Sequence, residues 1–239
     1  MRFLRWLNGV VISLCLLWGG VIAGLIYLPN SPLPDEWNPV SPFDPMAKHT
    51  RFTDYKLRRA LKNPAQCSTL LAQLDVNFRN MNDRIDEQNC HIKNRVELRE
   101  VGQSSIAPME TKCEIALRLA LWERHALQSA AFEHLGQSVA RVEHFSSYSC
   151  RPIRTTNGQR RRMSEHASAN AVDIAGFVLA DGQKVSVLSD WDDQSNKAIF
   201  LRSIRDGACD WFNVTLSPDY NALHKDHFHF DQGRWNSCR

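Results

Sequence analysis

The sequence predicts an α+β fold, a central antiparallel sheet flanked by helices and preceded by one N-terminal transmembrane helix. Three features carry this expectation. The chain opens on a long apolar run, helical periodicity dominates the first half that follows, and strand-like alternation dominates the second.

Residues 6 to 28, WLNGVVISLCLLWGGVIAGLIYL, are apolar apart from Asn8 and Ser13. A helix needs ~20 such residues to cross a ~30 Å hydrocarbon core. Arg2 and Arg5 precede the run and would hold that end in the cytoplasm, exporting the rest. A cleaved leader has a shorter apolar region with a small-x-small site near its end. Here the small pair Ala23 and Gly24 lies inside the run, and Leu14 stands where a lipoprotein carries a small residue before its cysteine. Residues 1–28 therefore read as an uncleaved signal anchor.

Six prolines follow in residues 29–45. Proline fixes φ and removes a donor, so this stretch is expected to be a semi-rigid extended linker. From residue 46 to 239 the composition is globular. FTDYKLRRALKN suggests a short helix ending before Pro64, and AQCSTLLAQLD a second one. Residues 76 to 104 read as polar strand or loop, with weak alternation in CHIKNRVEL.

The strongest helical pattern spans residues 111 to 136, with Thr111 as the expected cap and Gly136 as the stop. Its broad apolar face, including Ile115, Leu119 and Trp122, marks core packing. Beyond it VARVEHFSSYSC alternates as a strand, and AVDIAGFVLADGQKVSVLSDW reads as two strands across the turn Ala180-Asp181-Gly182. KAIFLRSIRDGAC is helical, and LHKDHFHFD closes the chain as a final strand.

A formal net charge of +3, with no basic stretch interleaved with aromatics, argues against nucleic acid as a partner. Of seven cysteines, Cys15 lies in the apolar run and six are spread through the domain without a CxxC pair. That usage favours disulfides in an oxidising compartment over a zinc ribbon. Pairing in chain order is expected: Cys67 with Cys90, Cys113 with Cys150, Cys209 with Cys238.

Chemistry concentrates in two stretches. On a strand, HFHF places His227 and His229 on one face and Phe228 and Phe230 on the other, with His224 at the entrance. Upstream, SEHASANAVDIAGF holds His166 and, seven positions on, Asp173 amid apolar neighbours. A carboxylate buried there needs a cation or a hydrogen-bond network.

H-x6-D followed by H-x-H resembles the zinc peptidases of the lysostaphin, D-Ala-D-Ala peptidase and sonic hedgehog group. The surrounding text is closer to the extensin-like C-terminal family of bacterial envelope proteins, through SYSCR, SEHASANAVDIAGFVLADG, FLRSIRDGAC and NALHKDHFHFD. The resemblance covers roughly residues 50 to 239. It implies Zn2+ held by His166, Asp173 and His229. His227 would then handle a proton beside the metal, with His224 in support, Ser164 fixing the loop and Arg151 anchoring a substrate carboxylate. It departs from the pattern at Ala169, where these peptidases commonly carry glycine. If φ is positive there, alanine costs stability or shifts His166.

The function so implied is a membrane-anchored zinc-dependent peptidoglycan peptidase, of D,D-carboxypeptidase or endopeptidase type. Its partners would be cell-wall peptides, and it would be held in the bacterial inner membrane by residues 6–28 with its C-terminal domain in the periplasm. The alternative is a catalytically weak, zinc-stabilised module that binds cell-wall peptides or an envelope protein. A cupin-like iron oxygenase is disfavoured, because the glutamate and glycine that follow H-x-H in cupins have no counterpart in FDQGRWNSCR. Arg160, Arg161 and Arg162 read as solvated loop charges, Glu165 as a base secondary to His227, and Trp191, Trp211 and Trp235 as core. Asp226 and Asp231 read as solvated strand-end acids, Asp231 alternatively as the group that orients a ligand imidazole.

Overall fold

A computed structural model describes residues 2–28, 31–87 and 89–239. Pro29 and Asn30, the first positions of the expected linker, lie outside them. The chain divides into two compact units, Met1–Lys62 and Asn63–Arg239.

In the first unit, α1 (Arg2–Tyr27) contains the stretch Trp6–Tyr27, which is long and apolar enough to cross a membrane. Its apolar side chains, such as Leu16, Leu17 and Trp18, are exposed, as a lipid-facing helix requires. The proline-rich segment is more than a spacer. It makes a 3-10 turn at Asp35–Trp37 and is tied to α2 (Thr53–Ala60). Lys56 Nζ donates to Asp35 O and Ser41 Oγ, both at 2.8 Å, and Arg59 donates to Pro39 O and Val40 O, both at 2.9 Å. Prolines lack the N–H that a ladder needs, so backbone carbonyls of this segment go without strand partners, and the two cations of α2 satisfy those of Asp35, Pro39 and Val40.

The second unit opens with α3 (Pro64–Ala72), capped by Asn63 with proline at its first turn. The stretch read as polar strand or loop forms four strands: β1 (Phe78–Asn80), β2 (Arg84–Glu87), β3 (Cys90–Ile92) and β4 (Arg95–Val101). Then come β5 (Ser104–Lys112), α4 (Cys113–Trp122), a π-helical turn (Glu123–Leu127) and α5 (Gln128–Leu135). The strands β6 (Val139–Ser146), β7 (Pro152–Thr155), β8 (Gly158–Met163), β9 (Ala171–Leu179) and β10 (Lys184–Ser186) follow. Last are α6 (Val187–Asp190), α7 (Asn196–Ala208), β11 (Val214–Leu216), β12 (Phe228–Asp231) and β13 (Ser237–Cys238).

The main sheet runs β1-β4-β5-β6-β9-β12-β11-β13, with β10 also on β9. It is mixed rather than wholly antiparallel, because β5 pairs β6 and β11 pairs β13 in parallel. The first parallel pair follows from the long helix. Parallel neighbours need a crossover, and α4 to α5 is that crossover. The helix starts at Cys113, one residue after Lys112 as cap, so Thr111 is not its cap. Thr111 lies within β5, next to its last residue, with its hydroxyl 2.6 Å from that of Ser147. Gly136 does end the helix, at φ 66°.

Trp122 is fully buried against Phe177 and Phe230, with ring centroids 6.2 and 5.3 Å away, and donates its indole N–H to Ile204 O at 2.9 Å. This joins the crossover helix, the sheet and α7 in one core. Phe228 and Phe230 are fully buried, each burial worth roughly 1.5–3 kcal/mol. That anchors the face of β12 opposite His229.

The disulfides correct the chain-order expectation in two of its three pairs. Cys67 joins Cys113, Cys90 joins Cys150, and only Cys209–Cys238 pairs as expected. The first packs α3 on the start of α4, and the second pins the β2–β3 hairpin to the segment after β6. Both follow packing between elements distant in sequence, which chain order does not encode.

Candidate metal centre

β9 and β12 are antiparallel neighbours in a register that pairs Asp173 with His229. Side chains of directly opposed residues share a face, and Asp173 Oδ1 lies 2.9 Å from His229 Nδ1. His166 arrives from the short 3-10 helix Glu165–Ser168, whose first turn is capped by Ser164 accepting from the His166 N–H. Its Nε2 lies 3.1 Å from His229 Nδ1 and 3.2 Å from Asp173 Oδ1. The three residues meant by the family resemblance are thus together, their ligand atoms within 4.8 Å of one another.

The outer contacts fix which atoms face inward. His166 Nδ1 is 2.9 Å from the carbonyl of Ser147, an acceptor only, so the proton sits on Nδ1 and Nε2 is turned to the centre. His229 Nε2 is 2.8 Å from the carboxylate of Asp231, which leaves Nδ1 for the centre. Asp231 is itself buried and accepts from Gly233 N at 2.7 Å. It is the orienting acid, and its position two residues after His229 was the available signal. Ser147 contributes through its backbone, which no side-chain pattern can announce.

These donors suit a metal. Zinc with nitrogen and oxygen ligands at ~2.0–2.2 Å in a tetrahedron has ligand atoms about 3.3–3.6 Å apart. The three separations of 2.9, 3.1 and 3.2 Å need only a few tenths of an ångström of expansion. Two imidazole nitrogens and a carboxylate converging this closely require a proton or a cation between them. Without metal, a proton fills that role. Burial opposes the charge on His229, but Asp173 and Asp231 outweigh it and raise its pKa to about 9. Burial likewise opposes ionisation of Asp173, yet hydrogen bonds and charges from His166 and His229 hold its carboxyl far below the usual range.

The family description "Extensin-like protein C-terminus" matches residues 65–239, nearly all of the second unit. The chain belongs to this family. No curated protein and no solved structure matches it. The match begins two residues after the boundary between the compact units, so the extensin-like domain and the second unit coincide closely.

Around the three inner residues, the extensin-like domain gathers the other expected side chains. His227 Nε2 lies 3.7 Å from Asp173 Oδ1, while its Nδ1 is held at 2.8 Å by Asp226. Asp226 thus holds a site imidazole at the strand end. His224 stands 5.3 and 5.9 Å, ring to ring, from His227 and His229, and its Nδ1 meets Asn221 Oδ1 at 2.9 Å. Burial, then the neighbouring His229 and His227, lower its pKa to about 4, so it is neutral at neutral pH. Exposed Phe145 sets its ring edge against His227, 5.6 Å between centroids. Burial lowers the pKa of Arg151, and the charge of Asp173 only partly opposes this.

Ala169 is left-handed, at φ 47°, and completely buried. The positive φ that would favour glycine is real, and the ligands converge with alanine in place. Glu165 is committed elsewhere, accepting from Arg162 at 2.9 Å and from Asn170 at 2.8 Å. Trp191 and Trp211 are core, whereas Trp235 is 72% exposed and corrects that expectation.

Proposed function

We propose that this chain is a membrane-anchored, zinc-dependent peptidase of the bacterial cell wall, hydrolysing peptide amide bonds of peptidoglycan as a D,D-carboxypeptidase or endopeptidase. One observation carries the reading. His166 Nε2, Asp173 Oδ1 and His229 Nδ1 converge, each imidazole oriented by an outer acceptor, with a further imidazole beside them. Two histidines and one carboxylate fit a catalytic zinc that keeps a position for solvent or substrate. Bound there, zinc would supply Lewis acidity, polarising the scissile carbonyl and activating water.

The chain's own residues supply the rest. Asp226 accepts the Nδ1 proton of His227, leaving Nε2 free to take a proton beside the metal ligands. The imidazolium formed is then stabilised by the same carboxylate. His224, kept neutral by burial, can accept or donate a hydrogen bond without placing a second positive charge in the site. The Arg151 guanidinium binds a substrate carboxylate in fork geometry. The apolar helix Trp6–Tyr27 supports single-pass anchoring, and three disulfides support an oxidising compartment, here the periplasm.

The test uses the full-length protein in detergent. Bound metal is measured, and wild type, His227→Ala and His229→Ala are incubated with purified muropeptides, with products read by mass spectrometry. Cleavage by wild type, with His227→Ala retaining zinc but losing most activity, is expected. No zinc in wild type would sink the assignment. Zinc without cleavage would leave the zinc-stabilised binding module as the reading.

A further inference from the structure

Residues 151 to 164, RPIRTTNGQRRRMS, hold five arginines and no acid, in a chain whose overall charge is only +3. They form the β7–β8 ribbon, a two-stranded sheet that pairs with no strand of the main sheet. Arg154, Arg160, Arg161 and Arg162 are exposed. Arg162 is paired with Glu165, but among the described residues Arg154, Arg160 and Arg161 make no ion pair. Neighbouring like charges repel, and these three arginines are left without the internal counter-charges found elsewhere on the surface, as at Arg79–Glu97 and Arg141–Glu143.

The ribbon is also joined to the metal centre. Its base is closed by Ser164 N donating to Arg151 O at 3.0 Å, two residues before His166. The charge of Arg154 acts on Arg151, and that of Arg151 on Asp173 and His224. Arg151, at the base of the ribbon, thus lies within electrostatic reach of both the ribbon and the site.

We propose that the β7–β8 ribbon is an anion-binding arm that docks a carboxylate-bearing polymer strand alongside the metal centre, with Arg154, Arg160 and Arg161 as its contacts. Exposed guanidiniums without internal partners bind carboxylates by charge-assisted, often bidentate, hydrogen bonds. Several of them on one exposed ribbon raise the local concentration of an anionic substrate. The choice of peptidoglycan stem peptides as the polymer rests on the proposed function. The anionic class of ligand follows from the ribbon alone.

The experiment is sedimentation of the full-length protein in detergent with purified peptidoglycan sacculi. Four arms are compared: native sacculi, sacculi with amidated carboxylates, a soluble polyphosphate competitor, and raised salt. Wild type should pellet with native sacculi. Binding should fall roughly tenfold or more in the triple variant Arg154→Gln, Arg160→Gln, Arg161→Gln, and with amidated sacculi, as three lost surface charge contacts imply. It should also weaken with salt. Unchanged zinc content and circular dichroism show that the variant is folded. Equal pelleting by the triple variant, or equal binding to amidated sacculi, would overturn the proposal. Displacement by polyphosphate at far lower concentration than by soluble stem peptides would overturn the carboxylate class. Cleavage by wild type separates the two readings: arginine-dependent pelleting of a wild type that releases no muropeptide leaves the arm standing and removes the peptidase.

Discussion

His229 and Asp173 face each other across the β12–β9 ladder, with Nδ1 and Oδ1 2.9 Å apart. Because register fixes this contact, either side chain can be removed without moving the other. Asp173→Ala and His229→Ala should each abolish stoichiometric zinc binding while far-UV circular dichroism stays native. Retention of zinc by either variant in elemental analysis would refute the ligand set.

Asp231 reaches the opposite nitrogen of the same ring, at 2.8 Å. In Asp231→Asn the amide can present an N–H where the ring's own N–H points, favouring the other tautomer and turning a proton toward the metal position. Outer partners of this kind are worth about 10–100-fold in metal affinity. Competition with a chromogenic chelator should therefore show weaker zinc binding with stoichiometry preserved. An unchanged affinity would make Asp231 a structural acid only.

Ala169 occupies the left-handed region at φ 47° with no exposed surface. Glycine would relieve roughly 1 kcal/mol of backbone strain and lose a buried methyl worth a similar amount, so Ala169→Gly should stay within about 1 kcal/mol of wild type. Ala169→Val adds β-branching where it is least tolerated and should cost about 2 kcal/mol or more. Denaturant midpoints decide this; a harmless valine would mean the backbone is not left-handed.

Much of this site was legible because it obeys a two-residue period. The alternation His227-Phe228-His229-Phe230 put imidazoles opposite a buried aromatic pair, and the structure keeps that arrangement. Pairing His166 and Asp173 with His229 needed the family resemblance, since no local rule spans 56 residues between Asp173 and His229. Helix periodicity located the crossover, yet its apolar face was equally compatible with an antiparallel sheet. The parallel β5–β6 pair depends on where the chain returns, which is a long-range property. Thr111 has cap chemistry but is claimed by the strand, where the Ser147 hydroxyl takes its side chain. Tertiary partners override a local preference worth about 1 kcal/mol. Ser147 itself acts on His166 through a carbonyl, and every residue has one.

Glu123 opens the π-helical turn of the crossover, 1% exposed, its Oε1 accepting from Gln128 Nε2 at 2.7 Å, Ser104 Oγ at 3.0 Å and Gln103 N at 3.2 Å. Its other oxygen fills the space beside Gly102, where a Cβ would come within 2.2 Å of it. Burial raises its pKa, and the three hydrogen bonds only partly oppose that. A folded-state value above the unfolded ~4.3 means the protonated form favours folding. That contribution is fully present below ~4.3 and is lost as pH rises through the raised value, at about 1.4 kcal/mol for each pH unit between the two. Glutamine keeps the accepting oxygen and never ionises. The stability of Glu123→Gln relative to wild type, from urea midpoints, should therefore climb between pH 4 and pH 8. A difference independent of pH would show that Glu123 stays charged at no cost, held by the hydrogen bonds of Ser104 and Gln128.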